Sequence, residues 1–220
     1  MNIEKARFNM IEQQIRTWDV LDQDVLDLLV VVKREAFVPA AYKSLAFVDT
    51  EIPLAGGAHM FTPKMEARIL QEVGLKKHET ALEVGSGTGY MAALMGYKAR
   101  HVTTVEIDPE IKRMAEKNLA SYGISNVEVV QGNGAWGWPA GEEKPLYDVI
   151  VLSGSLQILP DVFLKQLKVG GRLFSIIGES PVMTAQLTTR TSDAGYETVK
   201  LFETDVAPLR DAPAPSPFKF

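Results

Sequence analysis

The stretch Ala81-Leu-Glu-Val-Gly-Ser-Gly-Thr-Gly-Tyr90 constrains this chain more than any other. An apolar run ends in an acidic residue and then breaks into a loop with glycine at three alternate positions. A second apolar run, His101 to Ile107, places Glu106 about 20 residues beyond the glycines. Strand, glycine loop, helix, strand and carboxylate, in that order, make a nucleotide-binding βαβ unit. The glycines let backbone approach a ligand, and the later carboxylate at a strand end accepts ribose hydroxyls.

The rest of the chain agrees with that unit. Apolar runs predict strands at 80–84, 101–106, 127–130, 147–152 and 171–177, and helices at 89–97, 109–121 and 160–167. Such alternation implies a parallel sheet covered on both faces. Two further strands, 183–190 and 196–205, flank the turn Ser192-Asp-Ala-Gly195, a hairpin that would close the sheet. The expected fold is α/β, a doubly wound, mostly parallel seven-stranded sheet of Rossmann-like type with an N-terminal helical extension. Residues 2–35 carry two apolar stripes at helical spacing, with Asp22 or Asp19 able to cap the second and Phe37-Val-Pro39 able to stop it. Residues 40–62 look irregular. Pro63 then opens a helix to about Val73, capped by Thr62. Three segments are expected: 1–62 as helices and a covering loop, 63–210 as the cofactor-binding body, and 211–220 as a Pro-rich tail.

Composition narrows the function classes. Net charge is −5, from 23 basic and 28 acidic residues, which argues against broad nucleic-acid binding. There is no cysteine, so disulfides, thiolate metal sites and cysteine nucleophiles are excluded. His59, His78 and His101 lack ligand spacing, so no metal site is expected. Met1 to Arg16 carries polar residues throughout with no long apolar core, and no segment has the apolar length of a membrane span. The default expectation is therefore a cytoplasmic protein without a membrane partner.

Gly85, Gly87 and Gly89 give G-x-G-x-G and lack the third glycine of the dinucleotide fingerprint. Preceded by Glu83, the loop resembles the first motif of class I S-adenosylmethionine (AdoMet) methyltransferases. A sulfonium cofactor has no pyrophosphate, and a cation near a carboxylate makes physical sense. The candidate cofactor-binding set starts with Glu83, Gly85, Ser86, Gly87, Gly89 and Tyr90. Glu106 would take the ribose, with Ile107 flanking the adenine and Asp108 capping the next helix. Asn133, followed by Gly134, suits the adenine edge through its carbonyl and amide, or serves a tight Asn-Gly turn. Ser153 ends the fourth parallel strand, where ligand crevices form.

Over nearly its whole length the chain resembles the protein-L-isoaspartate O-methyltransferase family. The resemblance rests on Arg34-Glu-Ala-Phe-Val-Pro39, Ile52-Pro-Leu-Ala-Gly-Gly57, Pro63-Lys-Met65 and Leu82 to Tyr90. It continues through Asn126-Val127, Gly132-Asn-Gly134, Gly137-Trp138, Gln166-Leu167, Gly170-Gly171 and Val206-Ala-Pro-Leu209. It implies methyl transfer from AdoMet to the carboxylate of an isoaspartyl residue in a protein or peptide, for repair, with S-adenosylhomocysteine as product. A carboxylate is already ionised and nucleophilic at neutral pH, so positioning suffices. One departure stands out. The family loop reads roughly Gly-Gln-Thr-Ile-Ser-x-Pro, and this chain reads Gly57-Ala-His-Met-Phe-Thr-Pro63. Phe61 falls at the family serine, leaving Thr62 and His59 as candidates for the polar, catalytic role. It also opens alternatives: an apolar or aromatic small-molecule acceptor, or a protein that binds AdoMet without catalysis. The first 35 residues could then form a docking or homodimer surface. A NAD-dependent oxidoreductase is disfavoured by the glycine spacing.

Overall fold

The computed structural model describes residues 2–139 and 146–214. The last six residues of the expected tail, 215–220, lie outside the described residues. The N-terminal helical region is broken rather than continuous. Helix α1 (Ile3–Asn9) runs into a π-helical turn, Met10–Ile15, and a 3₁₀ turn, Arg16–Trp18. Asp19 then turns left-handed, at φ 59°. Of the two candidate caps, Asp22 starts α2 (Gln23–Val31), accepting from the backbone N–H groups of Asp24 and Val25. That helix ends at Val32, six residues before the expected stop at Val38. A separate short turn, α3 (Arg34–Phe37), follows. Two-residue strands β1 (Ile52–Pro53) and β2 (His59–Met60) pair antiparallel and fold the 52–60 loop back on itself.

Helix α4 (Pro63–Val73) leads into the sheet. Strands β3 (Thr80–Val84), β4 (His101–Glu106), β5 (Val127–Gln131), β6 (Tyr147–Leu156) and β7 (Leu167–Glu179) run parallel. Antiparallel β8 (Val182–Arg190) and β9 (Tyr196–Thr204) close the sheet. The spatial order is β5-β4-β3-β6-β7-β8-β9. Helices α5 (Tyr90–Lys98), α6 (Pro109–Ser121) and α7 (Asp161–Lys165) form the crossovers. Asp108 caps α6 through the N–H groups of Glu110 and Ile111, and Thr62 caps α4 through Met65 N–H. No helix of the described residues is long and apolar enough to cross a membrane.

Period-two alternation sorts the strand side chains between two cores. Ala81, Val149, Val151, Phe174 and Ile176 face the layer that includes α4, α5 and the N-terminal helices. Leu82, Val84, Ile150, Leu152 and Leu173 face Phe163 of α7. The N-terminal residues Met10, Ile15, Val25, Leu29 and Phe37 belong to the first core. Tyr90 and Tyr122 fasten that layer: their hydroxyls donate to the carbonyls of Val32 and Val31, and Phe37 packs on both rings.

The order reverses at β3, where β4 and β5 lie on one side and β6 on the other. A crevice opens there beyond the strand carboxyl ends. At the end of β6 the pairing with β7 shifts register between Val151 and Ser155. The returning segment 206–209 fills the gap: Ser155 N–H donates to Ala207 O, and Leu209 N–H to Ser155 O. A strap of chain therefore lies across one rim of the crevice.

Candidate active site

The glycine loop turns sharply out of β3. Gly85 has φ +96°, and a Cβ there would stand 3.1 Å from Ser153 O, so strand end and β6 meet backbone to backbone. Gly89 has φ +82° but lines no cavity. Its missing side chain admits Ala115 of α6, 3.3 Å from where a Cβ would sit. Of the three glycines, Gly85 and Gly87 face the crevice and Gly89 serves helix packing.

The crevice, open to solvent, spans about 720 Å³. Glu106 lies in its wall, at 6 % exposure. Its Oε2 accepts from Gly87 N–H at 3.1 Å and its Oε1 from Asp108 N–H at 3.0 Å. A carboxylate offers about four lone-pair positions, so two remain for a ligand. Burial pushes the Glu106 carboxyl upward; the N–H groups of Asp108 and Gly87, the charge of Arg210 and, least, the N–H of Ile107 oppose the shift. Arg210 sits 3.9 Å from Glu106 and 3.1 Å from Asp108. Ile107, Gly134, Ala135 and Ser153 line the same crevice. So does Asn133, whose Oδ1 accepts from Ala135 N–H at 3.0 Å. That bond commits the carbonyl to the turn and leaves the amide N–H donors for any ligand.

Glu83 lies under the loop, fully buried. Ser153 donates to its Oε1 at 2.9 Å, and Thr104 to its Oε2 at 2.6 Å. Thr104 also lies 2.7 Å from Ser86 Oγ. Burial pushes the Glu83 carboxyl up to about 8, against the two hydroxyl donors, with Glu106 and Glu66 adding negative charge. A cation arriving in this hollow would favour the ionised form.

The comparisons with known proteins agree with this geometry. The model for protein-L-isoaspartate(D-aspartate) O-methyltransferase matches residues 5–212. The chain belongs to that family. A relative from Anaeromyxobacter, named protein-L-isoaspartate O-methyltransferase 2, is 33% identical over 96% of this chain and 83% of its own. Another, from Rhodopseudomonas palustris, is 34% identical over 92% of each chain. A Plasmodium falciparum structure, assigned to the same enzyme and crystallised with S-adenosyl-L-homocysteine, shares the fold. Its TM-score is 0.79, at 21% identity, over 96% of this chain and 99% of that one.

Within this family fold, the loop that departs from the family pattern forms the rest of the site. Phe61 is buried, at 7 %, and lines both the crevice and a smaller adjoining hollow; exposed His59 stands beside it on both rims. Thr62 lines neither. Its hydroxyl accepts from Met65 N–H at 3.3 Å in the first turn of α4, the cap the sequence also predicts. Tyr90 lines the smaller hollow with its ring, but its hydroxyl points away, to Val32 O. Ser86 is buried beside it.

Sequence reasoning missed five participants. Arg210 reaches the crevice wall from a distant part of the chain, and Glu51 lines the crevice. Thr104 holds Glu83 from the interior of β4. The buried pair Arg34 and Glu66 adjoins the loop: Arg34 donates to Glu66 Oε2, Ala46 O and Phe61 O. Arg34 sits in a segment that carried the family resemblance, but the sequence attached no role to it. Nothing in one-dimensional spacing joins the other four to the site.

Proposed function

We propose that this chain transfers a methyl group from AdoMet to the free carboxylate of isoaspartyl residues in proteins and peptides. The observation that carries the reading is the wall of the crevice. A buried carboxylate with two open acceptor positions, Glu106, lies beside left-handed glycines at the carboxyl ends of parallel strands, in a member of this family. AdoMet supplies an electrophilic methyl on a sulfonium centre. The residues present suit such a group. Glu106 would accept the ribose hydroxyls, Ile107 and the Asn133 amide would meet the base, and Gly85 and Gly87 would leave room for the amino-acid part. Glu83 provides negative charge beneath, and Ser153 and Thr104 steady it.

Little acid–base work is needed, because the acceptor is ionised at neutral pH. The protein's task is to orient and to exclude water. Phe61 presents an apolar surface at the junction of the two hollows, and His59 at the rim favours an anionic acceptor when protonated. Residues 1–62 supply this cover and residues 63–210 the cofactor-binding body. The test is methyl transfer from labelled AdoMet to an isoaspartyl peptide beside its aspartyl twin. Base-labile labelling confined to the isoaspartyl peptide is the expected result. Equal or absent labelling by a sample that binds S-adenosylhomocysteine would sink the acceptor assignment.

A further inference from the structure

The smaller hollow, about 280 Å³, is lined by Phe61, Glu66, Glu83, Thr88, Tyr90 and Ser153, among others. It adjoins the crevice through Gly85, Gly87 and Phe61. Two carboxylates face one small space. Glu83 is already held by two hydroxyl donors. Glu66 is held on one side only: Oε2 accepts from Arg34 Nε at 3.1 Å, and Oε1 has no donor among the described residues. Glu66 is 2 % exposed, on the buried face of α4. Arg34 is anchored behind it by two backbone carbonyls and has no freedom to swing into the hollow. Thr88 and the first residues of α5, Tyr90 and Met91, line the same hollow. Thr88 Oγ1 is buried and carries no hydrogen bond. The hollow therefore brings together an acceptor and an unused hydroxyl beside a helix N-terminus, a combination that fits the two charges of an α-amino acid group.

We propose that Glu66, positioned by Arg34, binds the α-ammonium group at the amino-acid end of the cofactor, with Thr88 Oγ1 donating to its carboxylate. The proposal rests on the AdoMet reading above. Glu66 is thus a specificity-determining residue: it separates ligands that carry the amino group from those that carry the adenosine part alone. Burial, opposed by Arg34, pushes the Glu66 carboxyl up to about 7, so an approaching cation meets a group that ionises readily in its presence.

The test is calorimetric titration of the full chain with three ligands: S-adenosylhomocysteine, its analogue lacking only the α-amino group, and 5′-methylthioadenosine. Wild type should favour S-adenosylhomocysteine over the deaminated analogue at least tenfold. Glu66→Gln should reduce that preference below threefold while binding methylthioadenosine as wild type does. Because Gln leaves Arg34 without its counter-charge, Glu66→Asp provides a variant that keeps the pair; its preference should fall between the other two. A preference above threefold in folded Glu66→Gln, one as large as wild type's in folded Glu66→Asp, or none in wild type, overturns the Glu66 role. Failure of wild type to bind S-adenosylhomocysteine and methylthioadenosine alike overturns the cofactor reading itself.

Discussion

Replacing Glu106 by alanine tests the cofactor wall at its most loaded point. Two of the carboxylate's acceptor positions are filled by Gly87 and Asp108 N–H groups at 3.1 and 3.0 Å, and two are open. Hydrogen bonds to a charged acceptor contribute about 1.5–3 kcal/mol each, net of water. Two ribose hydroxyls therefore account for about 3–6 kcal/mol. Gly87 lies on the crevice wall, where its freed N–H can take water, so the fold should tolerate the change. Each 1.4 kcal/mol is about tenfold in affinity, and the Kd for S-adenosylhomocysteine should rise by about two to four powers of ten. Titration calorimetry reads this directly, with the melting temperature of the free protein as the control. Glu106→Gln, which keeps one acceptor oxygen, should lose only about tenfold by the same reasoning. A folded Glu106→Ala protein whose Kd moves less than threefold would refute the ribose assignment.

Three further outcomes are expected. Thr62→Ala should lower stability by about 1 kcal/mol through the lost cap and leave kcat within twofold; a large loss of kcat at unchanged melting temperature would return Thr62 to the chemistry. Gly132→Ala should destabilise by about 1–3 kcal/mol, because its Cβ would lie 2.1 Å from the Trp138 ring, which Gln166 brackets through Trp138 N and O; an unshifted denaturation midpoint would contradict that packing. The third concerns Glu83, whose carboxyl is raised from 4.5 to about 8. In that window the folded protein holds a proton the unfolded chain has lost, so ligand-free stability should fall with rising pH, by up to about 1.4 kcal/mol per unit from this group. Below the window both states are protonated and the loss vanishes. Glu83→Gln, neutral throughout, should flatten the slope, and parallel pH profiles for the two proteins would rule the buried proton out.

Much of this architecture is written locally. Strands β3 and β4 and helices α4 and α6 follow from patterns that act over a few residues: apolar runs, a Thr or Asp cap, and Pro at the first helical position. The glycine loop and Glu106 are legible for the same reason, since strand, loop and strand are consecutive and bring the carboxylate to Gly87 by a single crossover. The N-terminal helices were less legible. Their apolar stripes run on past Val31, but the contacts of Val31, Val32 and Lys33 with Tyr90 and Tyr122 break the helix there, and those partners lie 58 or more residues away.

The sequence by itself determined the strands and helices of the sheet domain, the glycine loop with Glu106 at the end of the next strand, and the departure at Phe61. Only the tertiary structure decided what the polar residues near that departure do. Thr62 spends its hydroxyl on α4, Gly89 makes room for α6, and Asn133 caps its own turn with its carbonyl. Arg34, Glu66 and Arg210 enter the site from segments far apart in the chain. Hydrogen-bonding capacity is finite, and which partner claims it depends on distances that open only when distant segments pack; local sequence fixes the capacity and the fold assigns it.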